Sequence, residues 1–395
     1  MAGEADLRDR AANAPSCAPE LPPGVLFHAS IYGASGYAEE NWMEVLGLEQ
    51  HGIPVQLAPI GSQRDTTKLL PSAVRHKLAE LQQNRVDLGR GVYYQCVPAG
   101  DLDLDTYGRY RVARTTFETE RIPEGWAERC NAMDQVWVPS TFNVKSFVES
   151  GVEEQKLRII PGGMDTRLFR PGLKPFRIPK KRGFTFLSVF DWQDRKGYDV
   201  LFRAFLNEFR PDEDVTLLIK LYQINDPFTD VEAKVLYFIE RELGMPLERT
   251  PPIVLLNGVI PQQQMPRLYC SADAFVLPSR GEGWGRPYLE ALCCGLPVIG
   301  TRWGGQTDYL NDENSYLVEI EGVMAVSPDV DIEVLAGQRW AAPSVDHLRK
   351  QMRRVFSQRH EARARAARGR QEVIERLDWR VIIPRWVELF RNLLD

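Results

Sequence analysis

Two glutamates bracket the glycine-containing segment EGWGRPYLE at residues 282–290. The apolar run AFVLPS at 274–279 comes before them and predicts a β-strand, and YLEALCCG after Pro287 predicts a helix that ends at glycine. Glu282 is therefore expected at the carboxyl end of a strand, and Glu290 in the first turns of the next helix. In open parallel sheets this edge is where ligands bind.

The predicted start of that helix has the features of an anion site. A helix start carries unpaired backbone N–H groups and the positive end of the helix dipole. Gly283 and Gly285 allow the backbone to approach a ligand closely, and Pro287 suits the first helical turn. A carboxylate accepts hydrogen bonds from two hydroxyls, so Glu282 and Glu290 could each hold part of a sugar. The pattern predicts a phosphate bound beside a polyol, which is the layout of a nucleotide sugar.

Two other uses of these acids stay open at this point. The two carboxyls could flank one glycosidic bond and hydrolyse it, but the adjacent anion site would then have no role. Alternatively, Glu282 could cap the helix and Glu290 could be a surface acid.

A second segment, FLSVFDWQDRKGYDVL at 186–201, also has the order strand, loop, helix. It places Arg195 and Lys196 beside Gly197 at the start of a helix. Two adjacent cations at that position would neutralise a diphosphate, although isolated residues of this kind are more often surface charges. Because an anion site is predicted in the same half of the chain, we interpret both cations as ligands of a diphosphate.

Strands and helices alternate along the chain in two halves of similar size. This alternation predicts an α/β fold with parallel sheets. Predicted strands lie at 24–31, 53–60, 91–98, 110–118 and 135–140 in the first half, and at 184–190, 215–222, 252–260, 274–279 and 296–301 in the second. Predicted helices lie at 121–133, 140–151, 198–209, 360–377 and 379–395.

Composition excludes several classes of function. The chain has 395 residues, 44% of them hydrophobic, and a formal net charge of −5, which gives no reason to expect nucleic-acid binding. No apolar run reaches the length that spans a bilayer. The five histidines show no metal-ligand spacing, and the six cysteines form no CxxC pair. We expect a cytoplasmic protein with reduced thiols and no metal, and the basic helix at 360–377 leaves peripheral membrane contact open.

Four segments together resemble one enzyme family. EGWGRPYLEALCCGLPVI resembles the signature of the retaining glycosyltransferases of GT-B family 4, with seven residues between its two glutamates. LYCSADAFVLPSRGEGWG is similar to the stretch that leads into this signature, IIPGGMDTRLFRPG to the interdomain segment, and SVFDWQDRKGYDVLFRAF to the phosphate-binding element. The resemblance is strong over about 135–310, weaker over 25–134 and weakest over 320–360.

The resemblance implies two facing, doubly wound Rossmann-like domains with a cleft between them, and a last helix that crosses back to the first domain. The C-terminal half would bind the nucleotide sugar, and the N-terminal half would supply most of the acceptor site. The expected division is a flexible leader at 1–23, an N-terminal acceptor-side domain at 24–172, a linker at 173–183, a donor-binding domain at 184–377 and the returning helix at 378–395.

The resemblance also implies a role for each matching residue. Glu282 matches the glutamate that contacts the transferred sugar, and Glu290 the acid that binds ribose. Arg195 and Lys196 fall at or beside the cations that bind phosphate. Gly283, Trp284, Gly285 and Arg286 match the segment whose backbone amides reach the sugar and the phosphate. Val259 and Ile260 match the loop at the edge of the base, and Gly33 and Gly36 match the glycine loop of the first domain.

The chain departs from the family pattern in two places. Asp191 stands where relatives often carry an arginine, five residues before the lysine, so Arg195 is a candidate substitute. Many relatives also carry a histidine near the reacting centre, and none is found in ARTTFETERIP or YYQCVPAG. Glu118 and Glu120 are the polar candidates for an acceptor-binding or catalytic role at this position.

We therefore expect a retaining hexosyltransferase that uses a nucleoside diphosphate sugar, with UDP-glucose or another UDP-sugar favoured and GDP-mannose next. The acceptor would be a hydroxyl of a glycan, a glycolipid or a small molecule, with no essential cofactor. The alternatives are a sugar-nucleotide epimerase or a phosphorylase on the same fold, and a non-catalytic protein that binds sugar nucleotides. The sequence does not fix the base, the hexose, the acceptor or the oligomeric state.

Overall fold

The computed structural model describes residues 20–32, 36–61, 70–222 and 230–395. Two six-stranded parallel sheets form its frame, one from each half of the chain. This confirms the predicted α/β class with two Rossmann-like sheets.

The first sheet has the strand order β2-β1-β3-β4-β5-β6. Its helices are α1 to α4, and each follows a strand or the loop after it. The strands are β1 (Pro23–Ser30), β2 (Val55–Ile60), β3 (Asp87–Cys96), β4 (Tyr110–Arg114), β5 (Gln135–Val138) and β6 (Leu157–Ile159). The helices are α1 (Gly36–Gln50), α2 (Ser72–Gln83), α3 (Trp126–Asn131) and α4 (Thr141–Glu149).

The second sheet has the order β12-β11-β10-β7-β8-β9. Every residue of β7, β10 and β11 is buried, as expected for parallel strands covered by helices on both faces. The strands are β7 (Phe184–Asp191), β8 (Val215–Tyr222), β9 (Ile253–Asn257), β10 (Ala274–Leu277), β11 (Val298–Thr301) and β12 (Tyr316–Val318). The helices are α5 (Tyr198–Glu208), α6 (Val231–Tyr237), α7 (Met265–Tyr269), α8 (Arg286–Cys293), α9 (Val345–Ser357) and α10 (Arg359–Arg376).

The order of strands in the second sheet reverses between β7 and β10, which are neighbours although two strands, β8 and β9, and three helices, α5 to α7, lie between them in sequence. Such a reversal leaves a crevice at the carboxyl ends of the two strands, because their following helices cover opposite faces. The segments that begin after β7 and β10 contain Arg195, Lys196 and Glu282.

The final helix, α11 (Trp379–Leu394), packs on the first sheet. Trp386 is fully buried, with its ring 5.4 Å from that of Trp137 and 5.9 Å from that of Tyr94. The helix continues through Pro384. A mostly apolar face explains its return, because the first sheet offers an apolar surface that would otherwise lie in water.

A hairpin follows the second sheet and packs across onto the first half of the chain. Its strands, β13 (Ile320–Ala325) and β14 (Arg339–Pro343), are antiparallel. Trp340 of the hairpin is buried in one apolar cluster with Phe117 and Ile122. The backbone N–H of Glu120 donates to the carbonyl of Arg339 at 2.8 Å.

Several predicted elements differ in extent from the observed ones. The predicted strand at 110–118 ends at Arg114, because the residues after it turn out of the sheet and line the cleft. The predicted helix at 121–133 is confined to Trp126–Asn131, since the chain turns at Pro123 and at Gly125, whose φ is +80°. The predictions omitted α2, α6, α7, α9, β6, β12 and the hairpin.

In the described ranges, none of the helices has both the length and the apolar character needed to cross a bilayer. The division at 172 and 183 into domains stays a prediction.

Candidate functional site

A cavity of about 290 Å³ opens between the carboxyl ends of the two sheets. The first half of the chain contributes residues of α1 and the segment after β4. The second half contributes the ends of β7 and β8, the loop after β9 and the segment from β10 into α8. Ligands bound here would touch both halves.

Glu282 lies at the centre of this wall, between the two predicted phosphate cations. Lys196 Nζ is 2.6 Å from Glu282 Oε1, and Arg195 Nη1 is 3.2 Å from Oε2. Only 6% of Glu282 is exposed. Burial alone would raise the pKa of Glu282, but Lys196 and Arg195 hold that pKa below its ordinary value. The carboxylate is therefore ionised and paired at neutral pH.

The two cations respond differently to the same surroundings. Burial lowers the pKa of Lys196, and the neighbouring Arg195 lowers it further, against the opposing effect of Glu282. Burial also acts to lower the pKa of Arg195, but Glu118 and Glu282 raise it above its ordinary value. Arg195 is thus a permanent charge, and Glu282 stabilises the charged form of Lys196 against burial and the neighbouring arginine.

Arg195 also links the two halves of the chain. Its Nη1 donates to the carbonyl of Gly281 at 2.7 Å, and its Nη2 lies 3.5 Å from Glu118 Oε1. Glu118 lies in the segment that leaves the first sheet after β4. This brings one predicted acidic residue to the cavity, where it lines the wall beside Tyr37.

Glu120, the other acidic candidate, lies away from the cavity. Its carboxylate is 3.2 Å from Arg339 of the hairpin, and both side chains are about half exposed. This placement does not support a role for Glu120 at the reacting centre.

The glycine segment after Glu282 lies against the first half of the chain. A Cβ on Gly283 would come within 1.7 Å of Thr116 Oγ1, so this position requires glycine. Ser140 Oγ donates to the Gly283 carbonyl at 2.9 Å. Gly285 has a φ of +84°, which is the left-handed region that glycine adopts freely. The backbone at 283–285 therefore forms part of the cavity wall. At Gly283 and Gly285 a ligand can contact this backbone directly, because glycine has no side chain.

Helix α8 begins directly after this segment, with Gly285 as its N-cap and no side-chain cap. Gly285, Arg286 and Pro287 line the cavity, so the positive end of the helix faces it. Trp284 is buried with its ring 5.0 Å from that of Tyr309. The arrangement suits an anion, as the sequence predicts.

Glu290 lies in the second turn of α8 and lines the same cavity. Tyr269 Oη donates to Glu290 Oε2 at 2.7 Å. Burial and the nearby Glu39 raise the pKa of Glu290 to about 7, against the opposing effect of Arg286. This carboxyl changes its charge near neutral pH, unlike Glu282.

The remaining predicted residues lie at the rim or on the facing wall. Val259 and Ile260 follow β9 and line the cavity, with Val259 more than half exposed. Gly36 begins α1 opposite Arg286, where a Cβ would lie 2.9 Å from the arginine Cδ. Gly33 lies outside the described residues.

The facing wall contains Glu39, Glu40 and Arg114, which were not among the predicted site residues. Arg286 Nη2 is 3.1 Å from Glu39 Oε2, which joins α8 to α1. Arg114 pairs with Glu40, and its Nη2 is 3.6 Å from Glu44 Oε1. The glutamates in GYAEENWMEV are only a weak indication of a ligand site in the sequence, because acidic residues near a helix start are common.

Lys220 is a further cavity residue that was not among the predicted site residues. It lies in β8 with 2% of its surface exposed and lines the cavity near Asp191. A lysine inside the apolar strand VTLLIKLY could have been noticed, because lysine is almost never fully buried without a partner. Over the ranges that the structure covers, no group of three or more His, Cys, Asp or Glu residues could hold a metal ion.

Part of the chain matches the model of a known protein family. Residues 181–327 match the family model described as glycosyl transferases group 1. The D-inositol 3-phosphate glycosyltransferase of Acidothermus cellulolyticus is 27% identical over 308 residues, which are 76% of this chain and 61% of that protein. The GDP-mannose-dependent alpha-(1-6)-phosphatidylinositol monomannoside mannosyltransferase of Mycolicibacterium smegmatis is 28% identical over 225 residues, 54% of this chain and 56% of that protein. The chain thus spans less than two thirds of the length of these curated relatives.

Solved structures show the same fold. Anabaena HepE in complex with UDP and glucose superposes with a TM-score of 0.61 at 15% identity, over 94% of this chain and 100% of that one. Sucrose-phosphate synthase from Thermosynechococcus elongatus superposes with a TM-score of 0.65 at 17% identity, over 94% of this chain and 99% of that one. The chain therefore has the GT-B fold, and its segment 181–327 matches the family model of glycosyl transferases group 1.

Proposed function

We propose that the chain is a retaining hexosyltransferase that transfers a sugar from a nucleoside diphosphate sugar to a hydroxyl acceptor. The observation that carries this proposal is the pairing of Glu282 with Lys196 and Arg195, at the switch point of the second sheet and opposite the first domain. The carboxylate that would bind sugar hydroxyls is thus in ion-pair contact with the two cations that would bind the diphosphate.

In this reaction the bond between the anomeric carbon and the diphosphate oxygen breaks, and the electron pair leaves with the nucleoside diphosphate. A new bond forms between the anomeric carbon and the acceptor oxygen, whose proton goes to an oxygen of the leaving phosphate. The protein contributes by holding both substrates in position and by stabilising the charge that develops on the diphosphate. Arg195, Lys196 and the start of α8 would supply that stabilisation.

The other predicted residues have matching roles in the proposal. Glu282 orients the transferred hexose, and Glu290 binds the ribose hydroxyls. The backbone of the segment 283–286 reaches the sugar and the phosphates. Val259 and Ile260 edge the base, and Gly36 approaches the diphosphate from the first domain.

Glu118 is the first-half acid that we place at the acceptor side. It reaches the cavity and lies 3.5 Å from Arg195 Nη2, so it would meet a ligand that extends from the donor toward the first sheet. We propose that it binds the acceptor hydroxyl or the transferred sugar. No metal or other cofactor is part of the proposed reaction.

A UDP-sugar is favoured as the donor and GDP-mannose is next. Both kinds of donor occur in the names of similar proteins: a structure of HepE contains UDP and glucose, and the Mycolicibacterium smegmatis relative is GDP-mannose-dependent. The acceptor would be a hydroxyl of a glycan, a glycolipid or a small molecule. The division of the chain at 173–183 into acceptor-side and donor-binding domains belongs to the same proposal.

A donor screen tests the proposal. The chain is incubated with UDP-, GDP-, ADP- and TDP-hexoses, with and without a pool of hydroxyl acceptors, and release of nucleoside diphosphate is followed. We expect release from one donor, with loss of release in the Glu282→Ala and Lys196→Ala variants. If those variants kept full turnover, the assignment of the site would be wrong. Analysis of the anomeric configuration of the product by NMR distinguishes retention from inversion.

A further inference from the structure

We propose that Lys220 is a further donor-binding residue, whose ammonium contacts the phosphate nearest the ribose and is positioned by Asp191. The inference rests on the proposed function, because it assigns a residue to the same donor site.

The order of strands gives the position of Lys220 along the cleft. From β10 through β7 and β8 to β9, the carboxyl edge of the second sheet presents Glu282, then Arg195 and Lys196, then Lys220, and then Val259 and Ile260. The proposed contacts of the first and last members are the hexose and the base. A donor that lies along this edge has its outer phosphate at Arg195 and Lys196 and its inner phosphate beside Lys220.

Burial and charge make Lys220 an unusual residue for a structural position. Lys220 and Asp191 are 2% and 5% exposed, on neighbouring strands, and both line the cavity. Lys220 Nζ donates to the carbonyl of Leu221 at 2.9 Å. Burying an ammonium costs free energy, so a fold that needed only packing would place an apolar side chain at this point of β8.

The electrostatic setting is suited to an anionic ligand. Burial lowers the pKa of Lys220 to about 8, against the opposing effect of Asp191. Asp191 in turn accepts a hydrogen bond from Gln193 Nε2 at 2.7 Å, which fixes the carboxylate. A phosphate oxygen beside Lys220 would strengthen its charged form, as an anion does for any amine.

This arrangement also accounts for the departure at Asp191. The wall of β7 carries a negative charge where similar enzymes often have an arginine, and the positive charge comes instead from β8. Val189 of β7 lies in register with Lys220 of β8, so Asp191 is two residues further toward the cavity.

Binding of three related ligands tests the inference. The nucleoside diphosphate that binds most tightly among UDP, GDP, ADP and TDP is titrated calorimetrically, together with its monophosphate and its nucleoside. For Lys220→Met we expect about tenfold or greater weakening for both the diphosphate and the monophosphate, and no change for the nucleoside. Lys196→Met should weaken the diphosphate by a similar factor and change the monophosphate little. The matched control is Lys145→Met, at an exposed lysine, and this variant should bind all three ligands as the wild type does.

A double variant separates ligand binding from simple neutralisation of Asp191. Asp191→Asn combined with Lys220→Met removes both charges, so no buried negative charge remains at position 191. If Lys220 binds phosphate, the double variant stays about tenfold or more weaker for the monophosphate. Recovery of wild-type affinity in the double variant, or unchanged monophosphate binding in Lys220→Met, would overturn the inference.

The same titrations distinguish failure of the inference from failure of the proposed function. A wild-type chain that binds none of the four nucleoside diphosphates contradicts both. A wild-type chain that binds one of them, with Lys220→Met binding its monophosphate equally well, contradicts only the role of Lys220. Thermal unfolding of each variant shows that the compared proteins are folded at the temperature of titration.

Discussion

Lys196 Nζ lies 2.6 Å from Glu282 Oε1, so the cation that we assign to the donor diphosphate is paired with the carboxylate that we assign to the hexose. Residues of these two types have separate tasks in the proposed reaction, yet each neutralises the other before a donor is bound. A donor must therefore compete with Glu282 for the positive charge of Lys196. This competition makes the two residues distinguishable by mutation.

Glu282→Gln should separate binding from turnover. The amide keeps the size of the side chain and removes the charge that occupies Lys196 and Arg195. We expect nucleoside diphosphate to bind as tightly as in the wild type or more tightly, while turnover falls by about 10²-fold or more, because the hexose loses its carboxylate contact. Calorimetric titration and steady-state kinetics measure the two effects. Weaker binding of the diphosphate in Glu282→Gln would contradict the competition.

Glu290 should make donor binding pH-dependent. Its pKa is raised to about 7 from an ordinary value of 4.5, mainly by burial. If the ionised carboxylate binds ribose, affinity for the nucleoside, which has no phosphate to contact the lysines, should increase as the pH rises from about 6 to 8. The Glu290→Gln variant should bind more weakly and show a flatter pH profile. An unchanged pH profile in that variant would assign the titration to another group, and Glu39 would be the first to examine, since it lies within electrostatic reach.

The same shift predicts a direction for stability. A carboxyl whose pKa is higher in the folded state than in the unfolded state binds its proton more strongly when folded. Its contribution to stability is therefore present below pH 4.5 and is lost as the pH rises through about 7. As the pH rises between about 4.5 and 7, the free energy of unfolding of the Glu290→Gln variant should therefore decrease less than that of the wild type. Denaturant titration at pH 5 and pH 8 measures the difference, and an equal decrease in both proteins would argue against a raised pKa.

Gly283→Ala should interfere with the approach of the two halves of the chain. An added Cβ would come within 1.7 Å of Thr116 Oγ1, and the next nearest atoms, at 2.9 and 3.1 Å, also belong to the Thr116 side chain. We expect kcat/KM to fall by about tenfold or more, because displacement of a positioned group by about 1 Å is costly in catalysis. Thr116→Gly in the same chain should restore part of the lost activity. Gly89→Ala is the control, since the nearest neighbour of its Cβ is the end of the Asp87 side chain at 3.2 Å.

Trp340→Ala should loosen the contact of the hairpin with the first domain. Trp340 is 3% exposed and packs in one cluster with Phe117 and Ile122, so its removal should lower the free energy of unfolding by about 3–5 kcal/mol. Limited proteolysis should then cut the hairpin segment at 320–343 more rapidly. Val334→Ala, at a side chain that is 40% exposed in the same segment, should change stability by less than about 0.5 kcal/mol. Equal effects of the two substitutions would show that the hairpin does not depend on this contact.

Local patterns in the sequence were sufficient to predict the α/β class and to select most of the residues that we assign to the donor side of the site. Apolar runs followed by glycine segments placed Glu282 and Arg195 after strands, and parallel strands bring such residues to one edge of a sheet. Short-range patterns sufficed for these residues, because each lies within a few positions of the strand or helix that fixes it.

Which charges meet across the cleft depends on the tertiary structure. Glu118 and Glu120 are two residues apart in sequence, yet one reaches Arg195 and the other Arg339, because the chain leaves the first sheet after Arg114. Lys220 stands in a strand that reads as apolar, and its place between the predicted phosphate and base contacts follows from the order of strands. Such pairings join residues about 80 or more positions apart in several cases, as for Lys196 and Glu282, and no local pattern of residues specifies them.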